Sequence, residues 1–559
     1  MDSQTPVYEI KLLSSLAKVF PDETPVYRPE CLPLSSLKGE TVSFQAACTV
    51  SGTFFKTEAN VVIQSPIKDF IRVRNVQNVP VGRACNPETD DNYLRTTSGM
   101  YPDLLRDLAD DTTYIYPGMW RSLWIDIRVP EDMVPGVYPI EISLVDEGRT
   151  LCSAESSVTI YDAVLPKQEI LHTEWMHADC LADYYHVPVF SEKHWAILKN
   201  FFLEYTDRGC NMMLTPLFTP ALDTAFGGDR TTVQLIDVTV EDGTYTFGFS
   251  RLKRWVDLCR ACGIEYFEMS HLFSQWGAKY PPKIMADVGG RQEKIFGWHT
   301  PAVGEYTRFL HAFLPELTGR LKEWGIDKVT YFHLSDEPRP DDLDTYRQAK
   351  ESVAGLLEGF HTFDALSSYE FYRHGLVDKP IPGNNEIDEF LGHGLTDMWT
   401  YYCVEQYLEV SNRFMSMPSL RNRIYGIQLY KYDIIGILHW GYNFYNSQFS
   451  LEHINPYEVT DAGGGFPAGD PFLVYPGAGG QPEESIRMMV HYEALCDLRA
   501  CRLLESLTSR DYVMELIEEN LAEPLTFKRF PKSDMYMIQL RNRINKEIAA
   551  GKSTAPRFL

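Results

Sequence analysis

Two carboxylate side chains stand next to each other in the segment YFHLSDEPRP, at Asp336 and Glu337. A short run of strand-forming residues precedes the pair and Pro338 follows it, so neither a strand nor a helix continues easily through it. Neighbouring like charges repel, and the repulsion raises at least one of the two pKa values. A carboxyl group that keeps its proton beside one that loses it is suited to general acid catalysis.

Such a pair can cleave a glycosidic bond, because hydrolysis needs an acid for the leaving oxygen and a group that stabilises the developing positive charge on carbon. Adjacent residues do not easily reach opposite faces of a sugar ring, so Asp336 is a poor nucleophile. A 2-acetamido group can instead attack through its own carbonyl oxygen, with Asp336 accepting the amide N–H. On this hypothesis Asp336 stays ionised and Glu337 keeps its proton. The structural alternative is that SDEP merely caps a helix.

The region that must position this pair alternates short apolar segments with amphipathic helical ones. This alternation predicts a (β/α)8 barrel, whose active site lies at the carboxyl ends of the strands. The eight candidate strands are ILHTEWMH, CNMMLTP, IEYFEMS, KVTYFHLS, FHTFDAL, DMWTYYC, IIGILHW and PFLVYPG. A doubly wound open sheet is the rival, but no Gly-rich fingerprint follows the first segment. The segment TTVQLIDVTVEDGTYTFGFS predicts a β-hairpin inserted after the second strand.

The part of the chain before the barrel reads as an antiparallel β-sandwich with one solvated face on its strands. Ile125, Ile127 and Val129 alternate with polar residues, and a turn at Pro135-Gly136 leads to a second alternating run. The sequence therefore predicts a multidomain β plus α/β protein. Its parts are a β-sandwich at 1–165, a catalytic barrel at 166–507 and a helical and irregular extension at 508–559 that ends in a loose tail, KSTAPRFL.

Polar and aromatic side chains follow the predicted strands, and in a barrel the strand ends share one face. We expect substrate contacts from His177, Asp179, His271, Trp276, Trp399, Tyr401, Trp440 and Asn443. If a protein nucleophile is needed, Asp364 or Asp179 would have to supply it. The loop DAGGGFPAGDPFLVYPG lacks the Gly-Lys-Ser/Thr ending of a nucleotide-binding loop, so a flexible active-site loop is the better interpretation.

Metal-dependent hydrolysis is a further alternative, with His172, His177, His271 and His333 as candidate ligands. The spacing of His172 and His177 on one strand sends the two rings to opposite faces, and no HExxH motif is present. We therefore expect neither a metal nor another cofactor.

The composition argues against several classes of protein but does not indicate a substrate. The chain has 559 residues, a formal net charge of −25 and 13% aromatic residues. The negative charge argues against binding nucleic acid or adsorbing to membrane surfaces. No apolar run of about 20 residues is present, and the N-terminal residues do not resemble a signal peptide. Eleven scattered cysteines are typical of reduced thiols, which predicts a cytoplasmic location.

Several blocks of the sequence resemble glycoside hydrolase family 123. They are HADCLADYYHV, LTPLFTPALDTAFGGDRTTVQLIDV, SHLFSQWGAKYPPKIM, HLSDEP, WTYYC, SNRFMSMPSLRNRI, ILHWGYNFYNSQFS and GDPFLVYPG, within residues 40 to 505. The resemblance implies a β-N-acetylgalactosaminidase with a β-sandwich, a (β/α)8 barrel and substrate-assisted catalysis by Asp336 and Glu337. It also implies that Trp399, Tyr401 and Trp440 line the sugar wall and the acetamido pocket.

The sequence thus predicts a retaining exo-β-N-acetylgalactosaminidase acting on carbohydrates with a terminal 2-acetamido sugar. Two alternatives stay open at this point. Another glycosidase could use the same scaffold on a different hexose, or a non-catalytic protein could bind sugars through the same aromatic residues. The sequence leaves open the preference for galacto or gluco sugars, the natural aglycone and the oligomeric state.

Overall fold

The computed structural model describes residues 5–32 and 34–554. Its N-terminal region is β-rich, with two five-stranded sheets in the orders β1-β3-β8-β5-β6 and β2-β10-β9-β4-β7. The strands are β1 (Val7–Ser14), β2 (Leu34–Lys38), β3 (Glu40–Ser51), β4 (Thr57–Gln64), β5 (Ile71–Val81), β6 (Gly99–Asp107), β7 (Thr112–Ile115), β8 (Arg121–Val129), β9 (Gly136–Asp146) and β10 (Arg149–Val164).

Alternation along these strands builds a common core between the two sheets. Ile125 and Ile127 of β8 and Ile142 of β9 are fully buried in one cluster. Strand β4 of the second sheet alternates buried and exposed residues, as predicted for a solvated face, but the opposite face of β8 is also covered. Asp126 is buried there, where it pairs with Arg74 at 2.5 Å and accepts the indole N–H of Trp124 at 2.6 Å.

Fourteen strands follow in the described part of the chain. They are β11 (Leu171–Glu174), β12 (Met212–Thr215), β13 (Asp237–Glu241), β14 (Thr244–Gly248), β15 (Tyr266–Met269), β16 (Ile284–Val288), β17 (Arg291–Phe296), β18 (Thr330–Phe332), β19 (His361–Ala365), β20 (Lys379–Ile381), β21 (Trp399–Tyr401), β22 (Gly436–His439), β23 (Tyr475–Pro476) and β24 (Pro482–Glu483).

Eight of these strands form one parallel sheet in the order β20-β19-β18-β15-β12-β11-β22-β21. The two end strands approach each other through a parallel bridge between Gly383 and Tyr401, and the Tyr401 N–H donates to the Pro382 carbonyl at 3.1 Å. The sheet is therefore a nearly closed barrel. The carboxyl ends of all eight strands meet at one face, as the sequence predicted.

One of the eight predicted strands is wrong and one strand was missed. The segment PFLVYPG contributes only Tyr475–Pro476, which pairs antiparallel with Pro482–Glu483 outside the barrel. The missing strand is Lys379–Ile381, which has three residues and a central proline. Pro380 lacks the amide proton for a ladder hydrogen bond, so this segment carries almost no strand signal.

Nine helices, α1 to α9, lie between the barrel strands in the described part of the chain, and α10 to α12 follow the last of these strands. They are α1 (Ala178–Tyr184), α2 (Glu192–Asp207), α3 (Ser250–Ala261), α4 (Glu305–Glu323), α5 (Leu343–Ser352), α6 (Tyr369–Arg373), α7 (Ile387–Gly392), α8 (Ser419–Arg423), α9 (Tyr425–Lys431), α10 (Ile486–Leu507), α11 (Arg510–Glu518) and α12 (Asp534–Thr554). The predicted hairpin is β13–β14, and it joins β16–β17 in a four-stranded sheet. None of the described helices is both long and apolar enough to cross a bilayer.

The C-terminal helix α12 ties the β-rich region to the rest of the chain. Arg541 donates to Glu40 of β3 at 2.6 and 2.7 Å and to Asp497 of α10 at 3.0 Å. Buried Asn545 donates to Ser35 of β2 at 3.0 Å. The helix continues to Thr554, so most of the predicted loose tail KSTAPRFL, from residue 555 on, lies outside the described residues.

Candidate active site

The Asp-Glu pair lies just past the end of β18, where three hydrogen bonds fix the chain. The Ser335 hydroxyl donates to the Ser274 carbonyl at 2.8 Å, and the Trp276 N–H donates to the Asp336 carbonyl at 2.8 Å. The Glu337 N–H donates to the carbonyl of Ala365 at 3.0 Å. Glu337 has a φ of +42°, in the left-handed region that glycine favours. Such strain is typical of functional sites, where the surroundings hold one conformation.

The pKa values of both carboxyl groups are raised above their ordinary values. Burial raises the pKa of Asp336 well above its ordinary value, and the neighbouring Glu337 raises it further. Burial also raises the pKa of Glu337, while the hydrogen bond donated by the Tyr401 hydroxyl at 2.7 Å opposes the shift. No described side chain donates to the Asp336 carboxylate. Which of the two carboxyl groups keeps its proton therefore stays a prediction, with Asp336 ionised and Glu337 protonated.

A buried charge network lies beside the pair. His333 is held between Glu268 of β15 at 2.5 Å and Asp364 of β19 at 3.0 Å. Burial lowers the pKa of His333, but the hydrogen bonds and charges of these carboxylates outweigh it and raise the pKa to about 9. The resulting imidazolium lowers the pKa of Asp336. Asp364 also accepts from the Tyr346 hydroxyl, so this carboxylate has a positioning role and is not a free nucleophile.

The pair opens into a cavity of about 700 Å³ at the carboxyl ends of the strands. Five of the ten site residues predicted from sequence line it, namely Trp276, Asp336, Glu337, Tyr401 and Trp440. The Trp440 indole N–H donates to Asp470 at 3.0 Å, which fixes its ring at the wall. The buried rings of Trp175 and Tyr401 belong to the apolar cluster inside the barrel and form the inner end of the cavity.

Three predicted substrate contacts lie behind this wall instead. The Asp179 carboxylate accepts two hydrogen bonds from buried Arg230 at 2.9 and 3.0 Å, and Arg230 also approaches His177 Nδ1 at 3.2 Å. The amide of Asn443 pairs with the backbone of His177 at 2.8 and 3.1 Å, and His177 Nε2 lies 2.9 Å from the Trp440 carbonyl. Burial and Arg230 lower the pKa of His177 to about 4. These residues position Trp440, and Asp179 is not available as a nucleophile.

His271 and Trp399 are also buried away from the cavity wall. The His271 ring stacks on His333 with centroids 4.2 Å apart, and burial lowers its pKa well below the ordinary value. Trp399 is 1% exposed, and a Cβ added to Gly436 would lie 2.1 Å from its ring. Trp399 faces the barrel interior like Tyr401 but lies two residues, or about 7 Å, deeper along the strand. The prediction that it lines the cavity is therefore wrong.

Several lining residues were missed because they come from distant parts of the chain. Arg83 and Asn86, from the connection between β5 and β6, close one side of the cavity. The Arg83 guanidinium donates to the Gly465 carbonyl at 2.7 Å, and the Asn86 amide donates to the Val404 carbonyl at 2.9 Å. Other missed lining residues are Asp223, Arg339, Glu405 and Phe449. The β-rich region thus contributes directly to the site.

Two groups of buried side chains bring potential metal ligands within 4.8 Å of one another: His172, Glu174 and His491, and His271, His333 and Asp364. In the first group, Glu174 accepts two hydrogen bonds from Arg413, both at 2.8 Å. In the second group, both ring nitrogens of His333 are already bound to carboxylates. Hydrogen-bonded donors and an adjacent guanidinium do not suit a cation. Neither group fits a metal centre.

Comparisons with known proteins agree with this architecture. A family model described as glycoside hydrolase 123, catalytic domain, matches residues 175–504. A family 123 glycoside hydrolase from Clostridium perfringens, whose structure was analysed for the details of glycolipid glycan hydrolysis, aligns with a TM-score of 0.74 and 17% identity. The alignment covers 98% of this chain and 99% of that one.

Two further structures align with TM-scores too low to carry an argument. A putative glycoside hydrolase from Bacteroides vulgatus has a TM-score of 0.32 and 10% identity, over 85% of this chain and 79% of that one. A family 2 member from Bacteroides cellulosilyticus has a TM-score of 0.28 and 10% identity, over 76% and 45%. No curated protein sequence matches the chain. The family match, which spans seven of the eight barrel strands and the Asp-Glu pair, shows that this chain belongs to glycoside hydrolase family 123.

Proposed function

We propose that this glycoside hydrolase is a retaining exo-β-N-acetylgalactosaminidase that uses the 2-acetamido group of its substrate as the nucleophile. One observation carries the proposal. Asp336 and Glu337 are adjacent in the cavity, while Asp179 and Asp364, the carboxylates considered as nucleophiles, are engaged in buried pairs. A double displacement with a protein nucleophile needs two carboxyl groups about 5 Å apart on opposite sides of the sugar. Substrate assistance needs only an acid and an orienting carboxylate.

Substrate binding would set the protonation states of the pair. The Asp336 carboxylate accepts from no described side chain, whereas Glu337 accepts from the Tyr401 hydroxyl. An amide N–H from the substrate would supply the missing donor, and a hydrogen bond to the charged form lowers the pKa of a carboxyl group. Asp336 then ionises, and its negative charge favours the protonated form of Glu337. The order of pKa values predicted from the sequence would thus arise in the substrate complex.

The reaction follows from these roles. Glu337 gives its proton to the glycosidic oxygen as the bond from that oxygen to the anomeric carbon breaks. The acetamido carbonyl oxygen forms a bond to the anomeric carbon, and Asp336 stabilises the positive charge of the resulting oxazolinium ion. Glu337, now ionised, takes a proton from water as the water oxygen attacks the anomeric carbon and reopens the ring. Two inversions retain the configuration.

The walls of the cavity fit an exo-acting enzyme. Trp175, Tyr401 and Leu438 close its inner end, where the terminal sugar would lie, and Trp440 offers an aromatic face beside it. Glycolipid oligosaccharides are the substrate class that we favour, since the Clostridium perfringens structure concerns glycolipid glycans. A galacto configuration is part of the proposal on the ground of the sequence resemblance.

The organisation of the whole chain is also proposed. We place a β-sandwich domain at residues 1–165, a (β/α)8 catalytic domain at 166–507 and an extension at 508–559. Strand β10 ends at Val164, and β11 begins at Leu171. The ten cysteines whose side chains are described are free thiols, which supports a reducing compartment such as the cytoplasm.

Hydrolysis of nitrophenyl β-glycosides tests this function. The protein should cleave the 2-acetamido-galactoside and release a sugar of retained configuration, with the gluco isomer as the matched comparison. The 2-hydroxy galactoside should be a poor substrate, because it has no internal nucleophile. Equal rates on the 2-hydroxy and 2-acetamido sugars would contradict substrate assistance.

A further inference from the structure

A separate cavity of about 450 Å³ lies away from the Asp-Glu pair. Its wall is formed by residues within 13–28, by Asn92 and Leu94 from the connection between β5 and β6, by Pro418 and by residues 532–534, where α12 begins. None of these residues lines the cavity of the Asp-Glu pair. Segments from both ends of the chain therefore meet around this terminal cavity.

Three basic side chains line the terminal cavity, and none of them forms an ion pair with a described residue. Lys18 is partly buried, while Arg28 and Lys532 are exposed. No carboxylate oxygen in the described part of the chain lies within 4.0 Å of their charged nitrogen atoms. The chain has 77 acidic residues against 52 basic ones. Three cations without a carboxylate partner around one cavity are therefore a feature that the composition does not explain.

Lys18 is the least exposed of the three cations. Its ammonium group donates to the backbone carbonyls of Met415 at 2.7 Å and Phe414 at 3.4 Å. Burial lowers the pKa of Lys18 to about 7, while Asp103 opposes this shift and Arg487 adds to it. Asp103 is itself paired with Arg487, at 2.8 Å. A bound anion would supply the negative charge that Lys18 lacks, and a nearby opposite charge raises the pKa of an ammonium group.

The acidic residues that line the terminal cavity do not cancel these charges. Glu23 is already paired with Arg95, which also pairs with Asp22 at 2.6 Å. Asp534 is the other lining carboxyl group, and burial raises its pKa to about 6 while Arg28 opposes the shift. Among the described side chains, three cations thus face one carboxylate that has no ion-pair partner. A doubly charged anion would balance the terminal cavity.

Asn92 adds an uncharged polar group to the wall. Its side-chain oxygen is buried and accepts from no described group, and its amide N–H groups donate to none. A buried amide group without partners is costly. Oxygen atoms of a ligand would accept from these N–H groups, so the terminal cavity offers neutral as well as charged donors.

We infer that the terminal cavity binds a tetrahedral dianion, the sulfate or phosphate group of a small molecule. Lys18 and Lys532 act as point charges, and the planar guanidinium of Arg28 donates two parallel hydrogen bonds to such a group. The amino end of α12 adds partial positive charge at the same place. The terminal cavity shares no lining residue with the candidate active site, so the inference does not depend on the proposed function.

Titration of the protein with sulfate at constant ionic strength, followed by calorimetry, tests the inference. The wild type should bind one sulfate ion, and Arg28→Ala and Lys532→Ala should each weaken this binding about three- to tenfold, as expected for one partly exposed charge pair. Both side chains are exposed, so the variants should fold. Lys546→Ala is the matched control, since Lys546 is an exposed cation of the same helix outside the terminal cavity. It should leave the affinity unchanged.

Proton uptake gives an independent readout at Lys18. Sulfate does not titrate near neutral pH, and Asp534, with a pKa of about 6, is already ionised at about pH 8. Protons taken up at this pH therefore bind to Lys18, whose pKa rises from about 7 when the anion binds. Calorimetry in two buffers of different ionisation enthalpy measures the uptake, and Lys18→Met should abolish it. Sulfate binding without proton uptake would contradict the role of Lys18.

Inorganic phosphate and acetate complete the test. Similar affinities for phosphate and sulfate would show that the site recognises shape and charge, and a preference for one would identify the group. Acetate, a planar monoanion, should bind about tenfold more weakly than sulfate. Acetate that binds as tightly as sulfate, a wild type that binds no sulfate, or an equal loss in Lys546→Ala would overturn the inference. None of these results bears on the proposed function.

Discussion

The barrel has openings of nearly equal size at its two ends. Most acidic residues that line one opening form ion pairs, and those that line the other do not. The cavity at the carboxyl ends of the strands measures about 700 Å³, and the groove at the amino ends, against the β-rich region, measures about 690 Å³. In the groove four of the five lining acidic residues pair with basic ones, among them Glu265 with Lys167 at 2.5 Å, Asp207 with Arg208 at 2.9 Å and Glu40 with Arg541 at 2.6 Å.

In the cavity the four lining carboxylates, Asp223, Asp336, Glu337 and Glu405, form no ion pair with a described side chain. Burial without a cationic partner raises the pKa values of Asp223, Asp336 and Glu337, and such carboxyl groups destabilise the fold. Paired charges in the groove hold two parts of the chain together. The comparison indicates that volume alone does not mark an active site. An active site is marked instead by unpaired carboxylates that are partly buried and lie on strained backbone.

The largest expected effect comes from replacing Glu337, the proposed general acid in the cavity. Glu337→Gln should lower kcat/KM on a natural glycan about 10²- to 10⁴-fold, because the leaving oxygen then departs without a proton. A nitrophenyl glycoside, whose leaving group is a stable anion, should retain much more activity. Because an unpaired carboxylate is removed, the melting temperature should not fall. Equal losses on the two substrates would show that Glu337 is not the acid.

Removing a paired charge from the groove should lower the free energy of unfolding and leave kcat unchanged. Arg208 is nearly buried and pairs with Glu484 as well as Asp207. Arg208→Ala leaves these carboxylates with one cation fewer, which should lower the free energy of unfolding by about 3 kcal/mol. Denaturant unfolding measures this loss, and kcat on the nitrophenyl glycoside at a temperature where the variant is folded should match the wild type. A large drop in kcat with normal stability would contradict the comparison.

A smaller effect should appear in the pH dependence of stability. The pKa of His333 is about 9 in the folded protein, above about 6.5 for an unfolded histidine. The folded state therefore binds more protons between these values, so His333 contributes stability that is complete below pH 6.5 and lost as pH rises toward 9. The difference in unfolding free energy between the wild type and His333→Gln should shrink over this range. A constant difference would show that His333 is not protonated in the fold.

The smallest expected effect is that of a chelator. The two clusters of potential ligands are occupied by hydrogen-bond partners, Arg413 on Glu174 and two carboxylates on His333. Dialysis against EDTA should therefore leave kcat and the melting temperature unchanged, with an untreated sample as the control. Activity that falls in EDTA and returns with a divalent ion would refute the mechanism without a metal.

Local patterns in the sequence predicted most of the fold. Period-two alternation located strands such as β8 and β9, and helical periodicity located α2 and α4. The errors arose where a local signal is weak or misleading. Strand β20 has three residues and a proline, while PFLVYPG is apolar because it packs against the barrel and not because it belongs to it. Propensity does not separate these cases.

The residues of the candidate site also fall into those that local sequence patterns predicted and those that they did not. The Asp-Glu pair was predictable because its two residues are adjacent and follow a strand. Partners that lie far apart in sequence were not, such as Arg83, which binds a carbonyl 382 residues away. Glu268 gave a signal that could have been used, since a carboxylate in the apolar strand IEYFEMS must find a partner when it is buried. Trp399 was misplaced because sequence does not give the depth of a residue inside a barrel.

The central claim is that the acetamido oxygen of the substrate is the nucleophile, oriented by Asp336. Nitrophenyl 2-acetamido-galactosides with zero, one, two or three fluorine atoms on the acetyl methyl group test it most directly, because each fluorine weakens the carbonyl oxygen as a nucleophile. The account predicts that kcat/KM falls steeply and steadily along the series. It also predicts that Asp336→Ala lowers the rate on the unfluorinated substrate about 10²- to 10³-fold. Rates that stay level across the series would contradict the claim and require a nucleophile from the protein.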